Sequence, residues 1–453
     1  MFHSPRQFDR RKIAKGLFWG SASLWLGACG KSPSSDASDP AQPDKRPAAA
    51  TAVYTAPPPS TNATLRIANW GDPNDQAVYA KVMERFKAKY PNVTVKDEFT
   101  PITTWSEYVN KLMTQVAGGN APDVINIAIE GVKLGISKKL FLPLTDYISR
   151  DDSAKALLSN VDPALLSGLA ENSIQYLLPS TWNTMLVYYN TRIFEAAGMP
   201  RPSDDWTWDD FLEIAQKLTT GDGSKKVFGF AMPYFNFGLT PWFYSNGTSE
   251  LNADWTASNL SDPRILESVT FVRDLVTKHR VAPQPKGADP YQLFPAGKAA
   301  MTGAGHWVVG AFKKAGFNDF DVLPWPKKTV QASVYGTAGF AIQAGSQNKD
   351  LAWEYIKELS SETTQQDWAK IGAATPASKV VAASADFLAA PPKHSELFYA
   401  AISYAKPVAA PTIFNTLEPS VMRAMDSILS GADAAAALKI ADQELSDAFA
   451  AAK

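Results

Sequence analysis

The sequence predicts an α/β protein. Short apolar segments of strand character alternate with amphipathic segments of helical period, and the first of them run strand, helix, strand, helix, strand. The length of 453 residues allows two or three domains and a large buried core. Leu65, Arg66, Ile67 and Ala68 read as the first strand, and Val78, Val82, Met83 and Phe86 then recur at helical spacing up to Tyr90 and Pro91. Val93 and Val95 continue as a second strand. Trp105, Tyr108, Leu112 and Val116 form the next helical stripe, which Gly118 and Gly119 stop. Val124 to Ile129 reads as a third, apolar strand, so a largely parallel sheet is expected.

A second set of elements starts near Leu177. Met185 to Tyr189 reads as a strand, and Thr207 opens a helix with Asp210 three residues on, a carboxylate variant of the capping box. Phe211, Ile214, Ala215 and Leu218 supply the buried face of that helix. Ala352, Tyr355, Ile356 and Leu359 mark a later amphipathic helix, and the Ala-rich tail over 432–452 is helical by propensity. No internal repeat is visible.

Composition excludes several classes. A net charge of -1 rules out a strongly basic nucleic-acid binder. With 45% hydrophobic and 20% charged residues the chain is not disordered as a whole, and no apolar run reaches the length of a bilayer-spanning helix.

The N-terminus reads as an address. Arg6, Arg10, Arg11, Lys12 and Lys15 precede an apolar stretch from Gly16 to Leu26, too short to span a bilayer, and then Gly27, Ala28 and Cys29. Leu26 to Cys29 resemble a bacterial lipobox, in which the Cys thiol takes a lipid and becomes the new N-terminus; 1–28 would be the signal peptide. Arg10 and Arg11 also resemble a twin-arginine motif, with Ile13 and Ala14 where Phe and Leu are usual, so both export routes stay open. Removing 1–28 takes away five basic residues and one acidic residue and leaves a net charge near -5. Cys29 is the only cysteine, so the exported domain is expected to stand on its core alone. The Ser, Asp, Pro and Ala of 30–62, with Pro57, Pro58 and Pro59 in a row, read as a disordered tether from Cys29.

Five segments stand out in fixed order: 108–123 (YVNKLMTQVAGGNAPD), 188–198 (YYNTRIFEAAG), 207–211 (TWDDF), 294–301 (FPAGKAAM) with Gly305 and Trp307, and 339–342 followed by 348–361. Together they resemble family 1 extracellular solute-binding proteins, the maltose-binding-protein-like subunits of ATP-binding-cassette importers. The resemblance implies a two-lobed periplasmic-binding-protein fold of type II, with hinge strands and an interlobe cleft for the ligand. It implies discontinuous lobes, 63–180 plus 331–375 and 181–330 plus 376–453, with crossings near Pro179 to Trp182 and near Val330 to Gly336.

Ligands of open α/β sheets bind beyond the carboxyl ends of strands, where loops diverge. That rule selects Asn69, Trp70, Gly71 and Asp72 after the first strand, Glu98 to Trp105 after the second, and Glu130 after the third. A sugar needs aromatic faces for its C–H surfaces and planar polar groups for its hydroxyls, and these positions offer both. Trp182 and Asn183 stand at the expected hinge, where Gly336 is a further candidate, and His306 and Trp307 occupy a loop that reaches the cleft in the family. Tyr234 and Trp242 belong to an aromatic loop over 234–244. Trp206, Trp208, Trp353 and Trp368 are assigned to structure.

No metal-ligand His spacing, Ser nucleophile elbow or phosphate-binding Gly-Lys loop is present. The expectation is a monomeric binding subunit, exported and lipid-anchored, with no cofactor of its own. Its partners would be a small solute, first a carbohydrate, and the permease subunits. A polyol or glycerol 3-phosphate-like solute is the alternative. A secreted glycosidase, which needs only two carboxylates brought together by the fold, ranks below it.

Overall fold

The computed structural model describes residues 53–101 and 104–452. The signal peptide, Cys29 and tether residues 30–52 lie outside the described residues. The end of the expected tether is docked rather than free. Tyr54 N donates to Arg150 O at 2.9 Å and its hydroxyl to Asp350 O at 3.3 Å. Its ring lies 5.8 Å from Tyr147 and 6.5 Å from Trp353, with Lys357 Nζ 5.3 Å from its centre. One tyrosine supplies apolar surface that the neighbouring Ser, Pro and Ala lack, so the tether reading is corrected from residue 54 onward.

The first sheet contains β1 (Ala63–Gly71), β2 (Val93–Pro101) and β3 (Val124–Ala128). A small hairpin follows, β4 (Ala170–Glu171) with β5 (Ile174–Gln175), then β6 (Leu177–Thr184) of the first sheet. A second, four-stranded sheet is built from β7 (Leu186–Asn190), β8 (Phe228–Ala231), β9 (Ala299–Ala304) and β10 (Phe320–Leu323). The chain then re-enters the first sheet with β11 (Val334–Ile342), β12 (Thr375–Pro376) and β13 (Lys406–Pro407).

Strand order in the first sheet is β12, β6, β11, β3, β1, β2, with β13 also paired to β11. β1 is parallel to β2 and β3, as expected of strands joined by helices, here α1 (Pro73–Lys89) and α2 (Trp105–Ala117). β11 runs antiparallel to both β3 and β6, so the largely parallel sheet is corrected to a mixed one. The apolar reading of the third strand is corrected too: Asn126 is buried in β3, its amide donating to Tyr79 Oη at 2.7 Å. The second sheet has the order β10, β7, β9, β8, with only β8 and β9 parallel.

The chain passes from one sheet to the other at Met185 and returns at Ser333, side by side. Met185 N donates to Val334 O at 3.3 Å, and Ser333 Oγ donates to Met185 O at 2.6 Å. A third pass runs along the same place, where Val408 N donates to Tyr335 O at 2.8 Å. Pro179 to Trp182 lie inside β6, before that passage.

The two sheets carry separate cores. Val78, Val82 and Phe86 of α1 pack with Leu65, Ile67, Trp353 and Tyr355 against the first. The predicted capping box of the Trp208–Leu218 helix is formed, Thr207 Oγ1 accepting from Asp210 N and Asp210 accepting from Thr207 N. That helix buries Phe211 and Ala215 beside Phe230, Trp242 and Trp325 in the second core. The C-terminal helices Phe414–Leu429 and Ala434–Ala451 complete this second core.

Candidate functional site

Several elements end sooner or later than their sequence patterns imply, and this moves the candidate residues. β1 continues through Asn69, Trp70 and Gly71, so these three are strand rather than loop. Asn69 is buried, its Nδ2 donating to Asp97 Oδ1 at 2.9 Å while Oδ1 has no partner. Gly71 takes φ +141°, and a Cβ there would lie 2.2 Å from Asp75 Oδ2, so only glycine fits. Asp72 is the N-cap of α1, its carboxylate accepting from the backbone of Asn74 and Asp75. Glu98 lies within β2 and pairs with Arg66 Nε at 2.6 Å.

Glu130 is the second residue of a helix, α3 (Ile129–Ser137), not the end of a strand. It is 3% exposed, and its Oε2 has no partner. Burial first and the charge of Glu418 second push its carboxyl up to about 8. The expected aromatic loop over 234–244 is mostly the helix Asn236–Ser245, which winds Trp242 into the second core between Trp208, Phe211 and Trp325. Tyr234 precedes that helix and donates its hydroxyl to Asp426 Oδ1 at 2.8 Å.

Trp182 is buried within β6, short of the passage between sheets. Its Nε1 donates to Pro376 O at 3.1 Å and its ring meets Tyr335 and Tyr399 edge-on. Asn183 Oδ1 accepts from His306 N at 3.0 Å. The His306 ring stacks on Phe387 at 4.8 Å, with Nδ1 unpartnered, and burial lowers its pKa to about 3. It lines a cavity of about 160 Å3 with Gly310, Lys313, Lys370 and Asp386, whose lining includes none of the other candidates. Trp206, Trp208, Trp353 and Trp368 are buried, matching their structural assignment.

What converges between the two cores is a smaller set. Trp70 and Trp105 meet edge-on with centroids 4.4 Å apart, and Trp105 packs against hydrophobic clusters on both sides. The next residue, Ser106, donates both N and Oγ to Glu418 Oε2, at 3.0 and 2.5 Å, joining α2 to the helix Phe414–Leu429. A Cβ on Gly336 would lie 3.2 Å from the Phe237 ring and 3.8 Å from Glu130 Oε1, so the bare hinge strand lets those two side chains approach it. Phe237 in turn lies 6.2 Å from Trp307, and Phe235 6.4 Å from it. Gly305 is required beside Trp307, because a Cβ there would overlap its ring at 2.0 Å.

Phe235, Phe237 and Glu418 were not among the sequence candidates. The aromatic run around Phe237 was a visible signal. Glu418 lies more than 300 residues from Ser106, and nothing local marks it. The two sides also touch at Lys133, whose Nζ lies 4.7 Å over the Trp255 ring, beside a cavity of about 90 Å3 lined by Ile129, Tyr335 and Pro407. Asn415 Nδ2 donates to Asn110 Oδ1 at 3.2 Å. Among the described residues no cluster of three or more His, Cys, Asp or Glu could hold a metal ion.

Comparison with known proteins gives the fold and the family. The lactose-binding protein of Rhizobium radiobacter is 26% identical over 306 residues, covering 64% of this chain and 68% of the relative. The ABC substrate-binding protein of Listeria monocytogenes in complex with cycloalternan superimposes with a TM-score of 0.78 at 23% identity, covering 86% of this chain and 100% of that one. An open conformation of a sugar transporter protein from Rhizobium etli has the same identity and coverage but a TM-score of 0.66. These neighbours share the two-lobed, maltose-binding-protein-like fold. The model of the bacterial extracellular solute-binding proteins matches residues 70–366, two thirds of the chain, and this protein belongs to that family.

Proposed function

We propose that this chain is the substrate-binding subunit of an ATP-binding-cassette importer, taking a sugar or oligosaccharide between its lobes and delivering it to permease subunits. The observation that carries the reading is the set of rings and carboxylates on the elements beside the hinge strand: Trp70 against Trp105, whose neighbour Ser106 holds Glu418, and Phe237, with Trp307 beyond it, near Glu130 at Gly336. Aromatic faces suit the C–H surfaces of a pyranose, and carboxylates suit its hydroxyls. Cycloalternan in the Listeria neighbour and lactose in the name of the Rhizobium relative support a saccharide.

Of the sequence candidates, Trp70, Trp105, Glu130, Trp307 and Gly336 stay in the proposed site, with Asn69 behind them. Trp182, Trp242, Asp72 and Glu98 act through packing, capping or ion pairing. The lobes we propose are 63–184 with 334–376, and 186–332 with the C-terminal helices, rocking about Met185 and Ser333. Closure follows if the solute touches both lobes, since only differential affinity shifts such an equilibrium.

Export, lipidation of Cys29 and a monomeric state belong to the same proposal. Among the described residues no helix is long and apolar enough to cross a membrane. The test is a thermal-shift panel of sugars and polyols on the chain from residue 53, followed by small-angle scattering with the best ligand. Tight binding with a smaller radius of gyration is expected; tight binding with an unchanged curve would remove the hinge mechanism. Thin-layer analysis after long incubation should find the saccharide intact, whereas released reducing sugar would mean a glycosidase.

A further inference from the structure

We infer that the solute carries a basic nitrogen, as an amino sugar does, and that its ammonium group seats against Glu130 and Glu418; this rests on the saccharide reading above. The argument starts from the other buried acids. Asp151 and Glu354 share Lys357, at 2.7 and 2.8 Å, and Glu354 also takes Lys89 at 2.5 Å. Asp321 holds His394 Nδ1 at 2.6 Å, and Glu250 accepts from Thr240 and Ser249. Glu130 alone among the buried acids of the described residues takes nothing from another residue's side chain; its own backbone N–H is its one contact, and Oε2 is unpartnered.

A buried carboxylate without a cation is expensive, so either a proton or a ligand must neutralise it. The protein's own charges around it make this worse. Glu418 faces it from the helix Phe414–Leu429, and Glu107 on α2 adds negative charge next to Glu418. The cations on the adjoining elements are committed elsewhere: Lys133 of α3 lies over Trp255, Lys111 of α2 donates to Thr100 at 2.7 Å, and Arg423 of the helix Phe414–Leu429 pairs with Glu444. Glu418 takes only Ser106, again no cation.

The Phe237 ring adds an aromatic face, which an ammonium group prefers next to a carboxylate: a Cβ on Gly336 would lie 3.2 Å from that ring and 3.8 Å from Glu130 Oε1. Trp70 adds an indole N–H with no acceptor, which a sugar hydroxyl would satisfy. A neutral sugar would leave Glu130 protonated and two acids facing each other. A cation resolves both defects at once. Because burial in the folded chain holds Glu130 near 8, binding an ammonium group must expel that proton, and affinity should fall by up to tenfold per unit as pH drops from 7.5 to 5.5.

The test uses the chain from residue 53 and sugar pairs that differ only in one amine for hydroxyl exchange: glucosamine against glucose, galactosamine against galactose, and the glucosamine disaccharide against cellobiose. Titration calorimetry at pH 7.5 should find at least one amine bound tenfold or more tightly than its partner, with the predicted weakening at pH 5.5. Glu130→Gln should bring the ratio within that pair close to one, with a thermal melt confirming that the variant is folded. Neutral partners that bind as well as or better than every amine would overturn the inference and leave the saccharide reading standing. No binding by any member would overturn both. A thermal shift with calcium chloride alone would also overturn it, since the carboxylates would then answer to a metal ion.

Discussion

Trp242 and Trp307 belong to the same half of the molecule and live in different surroundings. Trp242 has Trp208, Phe211, Phe230, Phe271 and Trp325 around it, ring against ring, and no exposed surface. Trp307 has two ring neighbours, both above 6 Å, packs against two hydrophobic clusters of the second sheet and remains partly accessible. A tryptophan enclosed by its own core contributes to folding. One left partly accessible at the edge of its core is free to contribute to binding.

The sharpest way to break that comparison is to truncate both. Trp242→Ala should cost about 3 to 5 kcal/mol of stability through lost burial and the cavity it leaves, measured by urea denaturation. A small loss there would mean that the aromatic core does not hold this lobe together. Trp307→Ala should instead cost roughly 1 to 3 kcal/mol of saccharide affinity, tenfold to over a hundredfold in Kd, with a melting temperature close to that of the parent. Equal stability losses from the two variants would erase the distinction.

Glu130 extends the comparison to charge. Its carboxyl is raised to about 8 in the folded chain and returns to about 4.3 on unfolding, so between these values the folded state holds the extra proton. Its contribution is therefore fully present below the lower value and lost as pH rises through the upper one. Relative to the parent, Glu130→Gln should gain stability as pH rises from 5 to 8.5, by roughly 3 to 4 kcal/mol in chemical denaturation at about 1.4 kcal/mol per pKa unit. A constant difference across that range would mean the carboxyl is not held neutral. The smallest effect is expected at the docked N-terminal segment: Tyr54→Ala should cost roughly 1 kcal/mol or less and expose the preceding chain to protease, without altering saccharide affinity.

Much of the first sheet was legible because its signals are local. Val78, Val82 and Phe86 repeat at helical spacing and do line a buried face, and Thr207 with Asp210 does form a capping box. Element ends were less legible. β1 outlasts its apolar residues because backbone pairing with β2 continues through Gly71↔Pro101, whatever the side chains there prefer. Helix Asn236–Ser245 reads as an aromatic loop because it is buried all round and so has no polar face to reveal its period. His306 was read into the cleft beside Trp307, yet the turn after Gly305 sends consecutive side chains to different places.

What the sequence by itself determined is the α/β order, the family, the segments that supply core, and the aromatic and acidic residue types a saccharide site requires. These depend on neighbours within a turn of helix or a strand, or on motifs in fixed order. Only the tertiary structure decided which of those residues share a space. Glu418 reaches Ser106, Phe237 reaches Gly336, and Glu130 is left without a cation, because three passages of the chain at one hinge bring segments hundreds of residues apart together. Side-chain burial and charge compensation are properties of that assembled neighbourhood, so no local pattern could carry them.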